Sequence, residues 1–409
     1  PPIDGLIERP SGTFPLPAPK PGLADSLHTG CTPRHPELLW AALPRQLRQA
    51  SLADMAGQLL VVSFSGRTLE DAGVKETVAA LGEGSIGGVL YFRHNVASAG
   101  DVRAMNEAFA TANPNLPALV AVDQEGGKVM RLRPSEGLPD TPAPRDVAKT
   151  SLARASSTYS AMAGALSDLG FTVNLGPVVD LDTYPANPVI GRHGRSFGKD
   201  PSEVTQFAKT FINAHADAGV ATALKHFPGH GSSRADSHVG KADITRTWSR
   251  QELAPFRNLV RESGVDMVMV GHLDLAPLSG EANLPASLSP VAIESVLRQA
   301  LCFDGLIVSD DLSMDAITDR WTLEDAAVLA IEAGSDVALM SLPGQSNSAK
   351  IAGIHQRIVD EANASPAFAD KVRHAYARLV HHKLEAAERR ALVAAMVDRS
   401  GFTRVADAR

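Results

Sequence analysis

Residues 224–240 read LKHFPGHGSSRADSHVG: three imidazoles, a lysine, an arginine and an aspartate, set among three glycines and a proline. Residues of this kind do not gather to fill a core, because Lys, Arg and Asp are seldom buried without a partner. The run before them, Ala221-Thr222-Ala223-Leu224, is mostly apolar. A buried strand therefore ends where the polar cluster begins, and it delivers a glycine-rich loop to a site. Near the far end of that loop, Asp236-Ser237-His238 places a carboxylate two residues from an imidazole.

Working outward, the same alternation recurs. Short apolar runs at 59–64, 87–92, 118–123, 172–175, 221–225, 267–271, 306–310 and 337–341 are separated by helical patterns at 102–112, 151–169, 202–218, 251–263, 290–301, 323–333 and 349–363. Parallel strands covered on both faces by helices read as continuous apolar runs. Eight of them in such alternation predict an α/β fold of the (β/α)8 TIM type. A doubly wound open sheet is the competing α/β arrangement, but no glycine-rich turn follows the first strand to support a dinucleotide site. Residues 1–48 are rich in proline and read as an extended N-terminal arm. The catalytic barrel with its C-terminal helices is expected over 49–398, the last helix packing against the barrel's outside, and a short tail over 399–409.

With 44% hydrophobic and 21% charged residues, the 409-residue chain has the composition of an ordinary globular core. Net charge is −7 without a long like-charge block, which argues against nucleic acid as partner. No apolar run is long enough to predict a membrane span. Cys31 and Cys302 match no metal-site spacing; two free thiols are expected, with a disulfide between them as the alternative. The chain begins with Pro1 and not Met; together with the arm, this leans towards a periplasmic or secreted location over a cytoplasmic one.

Polar groups at the C-terminal ends of barrel strands converge on one face, where barrel enzymes work. Here the third strand ends in Asp123-Gln124-Glu125-Gly126-Gly127-Lys128, followed by Arg131; the fourth leads to Arg195; the fifth delivers Lys225 and His226; the sixth ends at His272 and the seventh at Asp310-Asp311. Asp310 surfaces from a buried strand, where a carboxylate can attack an electrophilic carbon or balance a positive charge. Capping of a following turn is the structural alternative, above all for Asp311. His238 can pass a proton near neutrality, since an unperturbed imidazole titrates at about 6.5, with Asp236 orienting its ring. The alternative is a loop histidine with a local hydrogen bond. Lys225, Arg131 and Arg195 can hold hydroxyl or carboxylate groups, or else tie the barrel mouth together as salt bridges. His230 is expected to shape the loop.

Five blocks together resemble glycoside hydrolase family 3, in its β-N-acetylglucosaminidase branch: 122–128 (VDQEGGK), 187–191 (NPVIG) with 195–197 (RSF), 225–231 (KHFPGHG), 236–238 (DSH) and 309–314 (SDDLSM). The resemblance implies a (β/α)8 barrel that removes terminal β-linked N-acetylglucosamine from chitooligosaccharides or peptidoglycan fragments with retention of configuration. It implies Asp310 as the nucleophile that forms a covalent glycosyl-enzyme, His238 as acid/base and Asp236 as its dyad partner. Asp123, Arg131, Arg195, Lys225 and His226 match positions that hold the sugar. No cofactor or metal is implied. Lys128 stands where many relatives carry Arg, which keeps the charge but loses the planar fork. Two other readings stay open: a glycoside phosphorylase on the same scaffold, and a non-catalytic sugar-binding barrel.

Overall fold

The computed structural model describes residues 36–400 other than Ser263, Pro343 and Gln345, with side chains as far as Ala395. Eight parallel strands, β1 (Leu60–Ser63), β2 (Gly88–Tyr91), β3 (Leu119–Val122), β4 (Val173–Asn174), β5 (Ala221–Phe227), β6 (Met267–Val270), β7 (Leu306–Ser309) and β8 (Ala338–Met340), form one sheet. Their hydrogen-bonded order is β7-β6-β5-β4-β3-β2-β1-β8, and a parallel bridge from Val308 to Val337 brings its two ends together. The sheet is a barrel, not an open doubly wound sheet. Every residue of these strands is buried, so no polar face interrupts the apolar runs that marked them in the sequence.

One helix follows each strand: α1 (Ala72–Gly82), α2 (Ala99–Ala112), α3 (Leu152–Asp168), α4 (Pro201–Asp217), α5 (Ala254–Glu262), α6 (Val291–Ala300), α7 (Leu323–Ala333) and α8 (Ser348–Ala364). Their starts carry the expected signals. Ser151 and Thr322 accept amide bonds as caps, and the Asp200 carboxylate takes the amides of Ser202 and Glu203 ahead of Pro201. The α1 helix escapes the sequence reading because its buried face is Gly73, Val74, Thr77 and Leu81, with only two large apolar side chains. The α6 helix is wide, with bonds of the i→i+5 kind such as Leu301 N to Val296 O at 2.9 Å.

Two expectations are corrected, the extended arm and the free thiols, and the place of the last helix becomes specific. The last helix, α9 (Pro366–Ser400), packs against the outside of the barrel, across the N-terminal ends of its strands. Its side chains reach residues that precede the strands: Lys383 bonds Gln58 Oε1 and the Gly87 carbonyl, Arg378 bonds Asp336, Arg389 bonds Asp266 and Arg390 bonds the Phe171 carbonyl. Helical periodicity states which face is buried, not what it is buried against. The arm differs where it is described. Residues 36–48, expected as extended, form helices Pro36–Ala42 and Arg45–Arg48, with Leu43 and Leu47 in the core and the Tyr376 hydroxyl donating to the Leu47 carbonyl. Residues 1–35 and 401–409 lie outside the described part. The expectation of two free thiols fails as well: Cys302, half-buried in the turn before β7, is disulfide-bonded. The chain's other cysteine, Cys31, lies outside the described residues. Among the described residues no helix is long and apolar enough to cross a membrane.

Lys383 gives the bottom face a pH dependence. It is 2% exposed, and burial pushes its ammonium down to about 7. Between that value and the ordinary lysine range, the unfolded chain binds a proton that the folded chain does not. Stability from this group therefore rises with pH across that window, by at most about 1.4 kcal/mol per pH unit. We expect Lys383→Met to flatten the pH dependence of urea unfolding between about pH 7 and 10. A variant that keeps the wild-type slope there would show that Lys383 stays charged in the fold.

Candidate active site

A cleft of about 370 Å³ opens at the C-terminal ends of the strands. Asp123, Arg131, Arg195, Lys225, His226, Asp236, His238 and Asp310 all line it. Each of the eight residues singled out in the sequence thus reaches one place, from three strand ends and three loops.

The floor is an ion-pair network. Lys225 Nζ lies 2.8 Å from Asp123 Oδ1 and 2.6 Å from Glu125 Oε1. Arg195 grips Glu125 with two parallel bonds, both of 2.8 Å, and Arg131 Nη2 donates to Asp123 Oδ2 at 3.1 Å. Burial alone would raise both carboxylates. Lys225 and Arg131 nevertheless hold Asp123 far below the usual carboxylate range, and Arg195 and Lys225 hold Glu125 down at about 2. Burial likewise opposes the charge on Lys225, and Asp123 and Glu125 overcome it, so its pKa is raised. The network is fully ionised, and its three cations face two carboxylates. The salt-bridge alternative holds for Lys225, Arg131 and Arg195, but these residues also border the cleft.

Lys225 and His226 stand within β5, not beyond it, because the strand continues two residues past its expected end. Its pairing with β6 shifts register between Leu224 and Phe227, and Phe227 then pairs Val270. His226 Nδ1 lies 2.7 Å from Asp180 Oδ2, its amide donates to Asp180 Oδ1, and Arg195 Nη2 approaches its Nε2 at 3.4 Å. With Nδ1–H donated to the carboxylate, Nε2 is left as the acceptor on the cleft side.

Asp310 follows β7, its amide bonded to the Val270 carbonyl at 2.9 Å and its Oδ1 accepting the Asp311 amide at 2.9 Å. Burial works to raise its pKa, but the positive potential of His226 and His272 and the Asp311 amide outweigh it, so the group stays ionised. Asp311 has the structural part expected of it. Its Oδ1 accepts from the Ser313 amide and hydroxyl and the Ser341 amide, and Ser341 Oγ donates to Oδ2, tying β7 to β8.

Across the cleft, Asp236 Oδ1 accepts the His238 amide at 2.9 Å and lies 2.7 Å from His238 Nδ1. Burial raises the Asp236 pKa less than these His238 bonds lower it. The His238 side chain is 59% exposed. The local Asp-x-His bond exists, and it leaves Nε2 as the nitrogen available to a bound molecule. The loop approaches the barrel so closely that a Cβ on Gly231 would fall 1.7 Å from the Leu181 carbonyl oxygen. Only glycine fits there.

Glu125, Asp180 and His272 complete the site without having been assigned parts in it. Glu125 and His272 lay in view at strand ends. Asp180, 0% exposed, hid inside Val178-Val179-Asp180-Leu181, and a lone carboxylate in an apolar run was the available signal.

Residues 51–377 match the family described as "Glycosyl hydrolase family 3 N terminal domain". Beta-hexosaminidase A of Pseudoalteromonas piscicida is 33% identical over 304 residues, covering 68% of this chain and 49% of that protein. Beta-hexosaminidase LpqI of Mycobacterium tuberculosis is 41% identical over 245 residues, 58% of this chain and 61% of its own length. The solved structure of a glycoside hydrolase family 3 beta-N-acetylglucosaminidase from Paenibacillus sp. superposes with a TM-score of 0.75 at 31% identity, over 88% of this chain and 65% of the other. The chain spans from about half to under two thirds of the length of these three proteins. Its barrel, its matched span and these likenesses agree: the chain belongs to glycoside hydrolase family 3.

Proposed function

We propose that the chain is a retaining exo-β-N-acetylhexosaminidase that removes terminal β-linked N-acetylglucosamine from chitooligosaccharides or peptidoglycan fragments. The observation that carries this reading is the meeting, in one cleft, of an ionised carboxylate on a strand end with an Asp–His pair on a loop, above a floor of ion-paired hydrogen-bond donors. The names of the related beta-hexosaminidases support it.

In this mechanism Asp123, Arg131, Arg195, Lys225 and His226 hold the hydroxyls of the terminal sugar. Asp310 attacks its anomeric carbon while His238 gives the Nε2 proton to the departing oxygen, so the glycosidic bond breaks as the ester to Asp310 forms. Asp236 stabilises the imidazolium before that transfer. The neutral ring then takes a proton from water, the water oxygen bonds to the anomeric carbon, and Asp310 leaves as carboxylate. Two inversions give net retention. An imidazole base repels an incoming anion less than a carboxylate would, which keeps phosphate in view as an alternative acceptor.

A panel of aryl β-glycosides, repeated with phosphate, tests the reading. We expect hydrolysis of the N-acetylglucosaminide and little turnover of the glucoside or xyloside. Sugar 1-phosphate as the main product would make the protein a phosphorylase; binding without turnover would overturn catalysis.

A further inference from the structure

Asp236 and His238 lie at the open edge of the cleft, but the residue between them points inward: Ser237 is 1% exposed. Its Oγ lies 3.1 Å from His230 Nε2. His230 itself is held from three sides. Its amide donates to Asp180 Oδ1 at 2.7 Å, its carbonyl accepts from Asn187 Nδ2 at 2.8 Å, and its ring stands edge-on to His226 with 5.7 Å between centroids. Asp180 also bonds His226, so a single buried carboxylate links the strand under the sugar to the root of the loop. Just beyond that root, Glu252 Oε2 accepts the Gly231 amide.

Past this point the loop has few ties to the barrel. Arg234 stacks over Tyr184, and the other side-chain hydrogen bonds of residues 234–240 among the described residues run within the loop: Ser233 with Ala235 and Asp236 with His238. Ala235 packs against the core, but the Ser237–His230 bond is, among the described residues, the side-chain hydrogen bond that ties the Asp–His pair itself to the rigid part of the site. We propose that this bond is a latch, and that Ser237 and His230 are positioning residues for the proton transfer. The proposal rests on His238 being the acid/base. Burial, reinforced by neighbouring His226, holds the His230 imidazole down at about 4, so the latch does not titrate in the range where His238 works.

A latch predicts a selective defect. Releasing the loop slows steps that need a proton and spares those that do not. In Ser237→Ala, kcat/KM should fall about five- to tenfold for aryl N-acetylglucosaminides with poor leaving groups and less than about twofold for those with good ones, the loss corresponding to one hydrogen bond. KM should hold, because the sugar-facing residues are untouched. Trypsin should cleave after exposed Arg234 about five- to tenfold faster than in the wild type, as the freed loop opens more often. In a His230→Ala background Ser237→Ala should add nothing, since the two act through one bond; should His230→Ala not fold, the single variant decides. Equal losses on good and poor leaving groups, or an unchanged rate of cleavage at Arg234, would overturn the latch. His238→Ala run alongside separates the two claims. If it shows the leaving-group dependence and Ser237→Ala does not, the latch alone fails. If neither shows it, the acid/base assignment fails and the latch's part in catalysis goes with it.

Discussion

Replacing Asp310 by Asn should lower kcat on any aryl N-acetylglucosaminide by at least about 10⁴-fold, as loss of a nucleophile does elsewhere. The amide matches the carboxylate in shape and can still accept the Asp311 amide, so the site should keep its form. What disappears is the charge that, in the proposed mechanism, attacks the anomeric carbon. Stability should fall only modestly: the lowered pKa means the fold favours the ionised carboxylate over the neutral acid, but the amide keeps the bond from Asp311 and escapes the burial that opposes the charge. Kinetics and urea unfolding of the same variant therefore separate a chemical part from a capping part. A variant retaining a tenth of wild-type activity, or one that unfolds much more readily, would point to the cap.

The second large effect lies in the floor of the cleft. Arg195→Ala should cost about 3–5 kcal/mol of stability, the penalty for removing one partner of a buried pair. Glu125, 1% exposed at its side chain, would keep Lys225 alone, and Lys225 also serves Asp123. Exchanging both members of the pair, Arg195→Leu with Glu125→Leu, should recover most of that stability, because no charge is then stranded. On the proposed reading of Arg195 as a sugar-holding residue, it should not recover the affinity for substrate. Urea unfolding together with KM reads both quantities. If Arg195→Ala costs less than about 1 kcal/mol, the pair is open to water and the network does not brace the site.

Much of this was open to reading in the chain, for a physical reason. All eight strands are buried on both faces, so each left an unbroken apolar run, and the polar residues just past them were bound to share one rim. Asp310 and Lys225 could be placed in that way. What stayed hidden depends on partners far apart in sequence. Glu125 looked like one more strand-end residue until Arg195, 70 residues on, closed around it. Asp180 sat six residues beyond the end of β4, in an apolar run that forms no strand of its own. The route of α9 beneath the barrel was equally out of reach, since periodicity does not name the surface a helix covers. Within the loop, Ser237 was overshadowed by its two neighbours, although it is the one turned into the protein.

The most direct test of a double displacement at Asp310 is to trap its intermediate. A 5-fluoro glycosyl fluoride of N-acetylglucosamine should react and then turn over slowly, because the fluorine destabilises the positive charge in both steps. Mass spectrometry of the digested protein should find one added fluorosugar on the peptide that contains Asp310. A label on another residue, or none from an enzyme that still cleaves N-acetylglucosaminides, would contradict it.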